Sequence, residues 1–313
     1  MKTAGIHHIT AIVGDPQENI DFYQTFLGLR LVKQTINFDD TGTYHLYFGD
    51  DEGTPGTIMT FFPWQNAKKG TIGAGQVGTT RFAIPVGSYS FWQERLDTFA
   101  VPYRVTTRFN EQSLSFTDPH GLQLELTESD APKSSSWSVD DIPATKMIVG
   151  FAGAVLLSAS YEQTNKIIEE IMGFSYVGEE NQFLRFQSEA SIGNTIDIWQ
   201  TDAAPGSIGV GMVHHIAFRA KDDADQLKWK QHVESFNQSV TPVQPRQYFN
   251  AIYFREPGGI LFEIATDPPG FTHDEAYEQL GKKLMLPEWY EPKRAEIENA
   301  LPTISLTSKT DKE

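Results

Sequence analysis

One supersecondary pattern recurs four times along the chain, and this repetition constrains the fold more than any other feature. A strand-like apolar run opens each unit, at 6–13, 77–84, 151–158 and 212–219. A stretch with apolar residues spaced by three and four follows, at 16–28, 89–99, 161–174 and 224–236. That spacing is the helical period. Gly28 and Gly173 stand where helix stops are expected. Each unit then closes with strand, glycine turn, strand. The endings "FTDPHGLQLELTE" (116–128) and "YFREPGGILFEIAT" (253–266) are close copies, with Pro and Gly supplying the turn. Segments 47–64 and 183–201 follow the same plan more loosely.

The chain therefore reads as an α+β protein of four βαβββ modules, at about 5–64, 75–130, 147–201 and 210–266. Segment 131–146, rich in Ser and Pro, reads as a linker. It separates an N-terminal region (1–130) from a C-terminal one (147–270). Residues 271–313 form an extension whose last stretch, "TSKTDKE", is expected to fray.

Composition narrows the function. The 313 residues are 39% hydrophobic, which fits a globular chain of about two domains. The net charge of −16 argues against nucleic acid and anionic membranes as partners. No apolar run reaches the roughly 18 residues that span a bilayer. The first residues carry no signal-peptide core, so a cytoplasmic location is expected. The absence of cysteine removes thiol nucleophiles and thiolate metal ligands.

Histidine is scarce, yet four of the eight form two adjacent pairs, in "GIHHIT" (5–10) and "GMVHHIAF" (211–218). Four βαβββ modules with such strand starts resemble the vicinal-oxygen-chelate superfamily of glyoxalases and extradiol dioxygenases. The stretch "PRQYFNAIYFREPGGILFEIATDPPGF" (245–271) is similar to its hydroquinone-type ring-cleaving dioxygenases. The resemblance implies cup-shaped half-barrels built by pairs of modules.

Equivalent positions choose the pairing. At the first strand the modules carry His8, Thr80, Ala154 and His215. At the last strand they carry Thr60, Glu125, an ambiguous position near Asp197, and Glu263. Only modules one and four together gather two histidines and a carboxylate: His8, His215 and Glu263. That is the donor set of non-haem iron(II) oxygenases with open positions. Modules two and three should form the other cup, with Glu125 left as a relic. Fe(II) is the expected cofactor.

Thr10 shares a face with His8 by strand alternation and should point into the cup. His7 and His214 should point away, although the resemblance places both in the substrate pocket; one or the other is a candidate base toward an incoming hydroxyl. The resemblance also assigns Tyr253 to hydrogen-bond and protonate oxygen at the site, and Arg246 to stabilise developing negative charge. His45, His120, His232 and His273 read as ordinary residues, with His45 near enough to approach the cup and His120 on a surface turn.

The expected activity is ring cleavage of a para-dihydroxybenzene with incorporation of both atoms of O2. A homo-oligomer is compatible with this reading. Two other functions fit the fold. A glyoxalase-like isomerase or thiol transferase generally adds a fourth protein ligand, but Thr60 holds that place. A metal-free binder of small aromatics would not need the triad.

Overall fold

The computed structural model describes residues 1–131, 136–200 and 202–306, and it contains all four modules. The tail "TSKTDKE" lies outside the described residues. Module one is β1 (Ile6–Val13), α1 (Pro16–Ile20), β2 (Arg30–Asn37), β3 (Asp40–Gly49) and β4 (Ile58–Pro63). Module two is β5 (Gln76–Pro85), α2 (Tyr89–Thr98), β6 (Tyr103–Arg108), β7 (Glu111–Thr117) and β8 (Gln123–Ser129). Module three is β9 (Gly150–Leu157), α3 (Tyr161–Lys166), β10 (Ser175–Glu180), β11 (Phe183–Gln187) and β12 (Thr195–Trp199). Module four is β13 (Met212–Ala220), α4 (Asp223–Ser235), β14 (Gln244–Pro245), β15 (Asn250–Arg255) and β16 (Leu261–Thr266).

Helices α1 and α3 each pass into a wider π-helical turn, at Asp21–Phe26 and Ile167–Ile171. Gly28 and Gly173 follow, with φ of +73° and +76°, a left-handed conformation that costs glycine little. The acidic residue of each acidic-Pro turn has a structural task. Asp118 accepts from the amides of His120 and Leu122, and Glu256 from those of Gly258 and Ile260. His120 is buried in its turn rather than exposed, because its Nδ1 accepts from the Gly14 amide at 3.3 Å.

Two eight-stranded sheets result, ordered β14-β15-β16-β13-β1-β4-β3-β2 and β10-β11-β12-β9-β5-β8-β7-β6. Modules one and four thus share one sheet, and modules two and three the other. Opening strands of different modules join at each centre: β1 runs antiparallel to β13, and β5 to β9. A single apolar cluster extends through both sheets and includes Trp92 of α2 and Trp229 of α4. No helix among the described residues is long and apolar enough to cross a membrane.

The extension packs against module one of its own chain. Buried Lys33 of β2 pairs with Asp274 at 2.6 Å and also with Glu275. The Tyr290 hydroxyl donates to the Phe38 carbonyl at 2.9 Å, tying the extension to the β2–β3 turn.

Candidate metal centre and substrate cavity

The sheet register brings the three expected donors together. His8 of β1 pairs with Ala217 of β13, and Ala217 pairs with Glu263 of β16. These residues form one transverse row, with the small Ala217 side chain in the middle. His215 lies two residues before Ala217, on the same face of β13, opposite Thr10. The Nε2 atoms of His8 and His215 stand 3.2 Å apart. Glu263 Oε2 lies 3.3 Å from the first and 2.9 Å from the second. All three side chains are buried.

This trio fits a divalent cation. Donors bound at about 2.0–2.2 Å and at right angles would be separated by about 3 Å. Despite the short distances, neither oxygen of Glu263 has a hydrogen-bond partner. A buried carboxylate without compensation is costly, and a cation at the point of convergence supplies that compensation. Burial pushes His215 below its ordinary value, towards the neutral imidazole that a metal requires. Burial alone would raise the Glu263 carboxyl, and positive charge on the His8–His215 side, where a cation would sit, holds it well below the usual range.

Each candidate ligand is backed by its neighbour in sequence. Nδ1 of His8 meets Nδ1 of His7 at 2.9 Å, and Nδ1 of His215 meets Nδ1 of His214 at 2.8 Å. The two pairs then differ. His7 is buried, and its Nε2 meets the Thr266 carbonyl at 3.1 Å. Both of its nitrogens are engaged and it does not line the cavity, so it is not placed to act as a base. His214 does line the cavity. Burial and the adjacent His215 depress it to about 3, so it is a neutral imidazole.

A cavity of about 450 Å³ opens above the trio. Aromatic residues dominate its walls, including Phe38, Phe62, Trp64, Phe249 and Tyr253. Arg246 also lines it, with Nε 3.3 Å from the Tyr253 hydroxyl, Nη1 3.1 Å from Asp39 and Nη2 2.7 Å from Gln244. Burial opposes the Arg246 charge, but Tyr253, Asp39 and Glu263 outweigh it and keep the group cationic. The Tyr253 phenol is pushed up by burial and by Glu263, so it keeps its proton.

A family model for the Glyoxalase/Bleomycin resistance protein/Dioxygenase superfamily matches residues 5–126 and 153–264. The chain belongs to that superfamily. Among its relatives, "Putative ring-cleaving dioxygenase MhqO" of Bacillus subtilis is 56% identical over 300 residues, covering 96% of each chain. "Chlorohydroquinone/hydroquinone 1,2-dioxygenase" of Sphingobium indicum is 34% identical over 293 residues, covering 90% of this chain and 91% of that one. The crystal structure of a "putative dioxygenase from Bacillus subtilis subsp. subtilis str. 168" superposes with a TM-score of 0.96 at 55% identity, over 98% of this chain and 99% of that one. A glyoxalase I variant from Zea mays shares the fold, with a TM-score of 0.61 at 13% identity over 84% of this chain and 94% of that one.

In this member of the superfamily the candidate metal donors lie in one cup. Among the described residues, His8, His215 and Glu263 form the one cluster of three donors close enough to hold an ion. The other cup is filled by buried ion pairs. Glu125 accepts from both Nη atoms of Arg108, at 3.0 and 2.6 Å, and lies 3.2 Å from Nε of Arg81. Asp197 takes a bidentate contact from Arg185 at 2.7 and 2.9 Å. Three guanidinium groups thus converge where a cation would otherwise compensate the carboxylates.

His45, read from sequence as ordinary, lines the metal-side cavity. Its Nε2 lies 2.7 Å from Thr60 Oγ1, which lies 2.9 Å from Thr10 Oγ1. The signal was present in "TYHLYF", where His45 and Tyr47 alternate onto one face of β3. Phe38, Trp64 and Phe249 left no such trace, because they lie outside the regular strands.

Proposed function

We propose that this protein is an iron(II)-dependent dioxygenase that cleaves the ring of para-dihydroxybenzenes, hydroquinone among them, and incorporates both atoms of O2. The observation that carries the reading is the converging His8–His215–Glu263 set beneath an aromatic cavity. The name of the Sphingobium indicum relative supports the same substrate class. Two neutral imidazoles and a carboxylate leave a divalent cation with one net positive charge and open positions. Iron(II) there supplies a route for an electron between the aromatic ring and O2, which otherwise react slowly because spin must change.

The remaining tasks fall to the chain's own side chains. Phe38, Phe62, Trp64 and Phe249 enclose the ring and exclude water. Tyr253, kept protonated, holds a proton at Oη for transfer to oxygen at the site. Arg246 stabilises negative charge and orients that hydroxyl. If His215 binds the metal through Nε2, its Nδ1–H donates to Nδ1 of His214. His214 then presents Nε2–H to the cavity, as a donor rather than the base first expected. By the same logic His8 donates to His7, and His7 to the Thr266 carbonyl.

The test is O2 uptake by anaerobically iron-loaded protein with hydroquinone and with catechol. Hydroquinone should be consumed, and a ring-opened product should carry both labels from 18O2. Cleavage of catechol alone would overturn the substrate assignment. Activity with zinc or nickel and no O2 uptake would move the protein to the isomerase class.

A further inference from the structure

A second cavity, of about 440 Å³, adjoins the first. His214 and Leu261 line both, so these two side chains form the partition between them. The remaining walls are mostly small or apolar, and Arg255 is their one charged group. Its place follows from the register. Arg255 of β15 pairs with Leu261 of β16, and Tyr253 pairs with Glu263. Residues two apart on a strand share a face. Arg255 therefore stands one row along from Tyr253 and Glu263, on the same face of the sheet.

The two cavities differ in charge. Arg255 donates to the Gly259 carbonyl at 2.6 Å, and no carboxylate among the described residues pairs with it. The adjacent Glu256 is occupied elsewhere. Its carboxylate accepts from the Thr164 hydroxyl at 2.7 Å and from the amides of Gly258 and Ile260. An arginine without a carboxylate stands out in a chain of net charge −16. The rim of the first cavity carries the exposed residues Asp39 and Asp40. Asp39 pairs with Arg246 at 3.1 Å. Asp40 accepts from the Thr43 hydroxyl at 2.7 Å and from the Gly42 amide, and it pairs with no cation among the described residues.

Ring cleavage changes the charge of the molecule in the same sense. A para-dihydroxybenzene is neutral at pH 7, because phenols ionise near pH 10. Cleavage beside a hydroxylated carbon breaks one carbon–carbon bond and the bond of O2. Each of the two carbons gains one oxygen atom. The hydroxylated carbon becomes a carboxylic acid and its neighbour an aldehyde. The acid gives its proton to water, so the product is an anion at neutral pH. An anion is repelled at a rim of carboxylates and attracted to an unpaired guanidinium.

We propose that the second cavity is a carboxylate site on the path of product release: the ring-opened anion passes between His214 and Leu261 to Arg255, while neutral substrate enters past Asp39 and Asp40. The identity of the anion rests on the function proposed above.

Two measurements on zinc-loaded protein, which does not turn over, test the proposal. The first is titration with muconate, an unsaturated open-chain dicarboxylate. Arg255→Gln should weaken its binding about fivefold, as expected for an exposed charge pair, with zinc content unchanged. The second uses the ring-opened product made by the iron-loaded wild type. Ala159 is exposed and lines only the second cavity, so Ala159→Trp narrows that path without entering the first. Stopped-flow displacement should show product dissociation slowed about tenfold, with hydroquinone associating at the wild-type rate. Unchanged muconate affinity in Arg255→Gln, or wild-type product dissociation in Ala159→Trp, would overturn the assignment. Equal slowing of substrate entry and product release would overturn the separate paths. If iron-loaded wild type fails to open hydroquinone, the substrate reading falls, and the muconate titration still decides whether Arg255 holds a carboxylate.

Discussion

His8 Nε2 and Glu263 Oε2 come within 3.3 Å across Ala217, at the middle of an eight-stranded sheet. The approach depends on what Ala217 lacks. A larger side chain on that face would stand between the two donors, where the ion is expected. Ala217→Leu should therefore abolish stoichiometric iron(II) binding although every donor remains. Metal analysis after anaerobic loading and desalting checks this, with His8→Ala, His215→Ala and Glu263→Ala as reference losses.

The histidine pairs predict a graded effect. His7 touches no cavity, but its contacts to His8 and the Thr266 carbonyl orient the His8 ring. Removal of such outer partners costs about 10–100-fold in metal affinity. His7→Phe should lower iron affinity by that order while leaving the cavity walls intact. A competition titration against a chelator reads it, and an unchanged affinity would show that the His7 contact is idle.

Tyr253→Phe removes the proton held at Oη without emptying the wall. Turnover should fall about a hundredfold, the lower end of the usual range for a lost general acid. Iron content should stay at the wild-type level. Steady-state O2 uptake alongside metal analysis separates the two, and wild-type turnover would remove the proton-donor role.

Glu125 occupies in module two the place that Glu263 occupies in module four, but Arg81 and Arg108 compensate it instead of a metal. Glu125→Ala should leave iron stoichiometry and turnover of the folded protein unchanged. It should cost roughly 3 kcal/mol of stability, the low end for a broken buried pair, because Arg81 and Arg108 lose one carboxylate partner but still face Asp197. Denaturant titration measures the loss. A drop in iron content in folded protein would mean that the second cup also takes part in metal binding.

Asp197 makes the same cup sensitive to acid. Burial alone would raise its carboxyl, but Arg185, Arg81 and Arg108 outweigh burial and hold it below its ordinary 3.8. A carboxyl depressed in the folded state contributes stability that is complete above its unfolded value. That contribution is lost as pH falls through the folded value, so Asp197→Asn should flatten the fall of stability below pH 3.8. Melting temperatures measured across that range check it.

Much of this protein is decided locally and can be read from the chain. Alternation, the helical period and the Pro-Gly turns of 116–128 and 253–266 mark four modules because each depends on neighbours within a few residues. Comparison of the opening and closing strands across those modules selects the pairing, since only one combination gathers a complete donor set, although the sheet register puts Thr79 and Gly153, rather than Thr80 and Ala154, in the places of His8 and His215. Other features exist only once the sheets have formed. Alternation says that His7 and His214 point away from their neighbours, yet both side chains bend back so that Nδ1 meets Nδ1, and only their further surroundings tell them apart. His7 ends on the Thr266 carbonyl and His214 on the cavity, which depends on strands far apart in the chain. His45 reads as an ordinary strand residue until β3 and β4 bring it against Thr60. Glu125 and Glu263 lie on similar sequences, and what separates a salt-bridged relic from a candidate metal ligand is whether strands from other modules bring arginines or histidines to meet it. Local sequence sets the elements, but the charge and partners of a buried group are set by side chains that only the tertiary fold brings within a few ångströms.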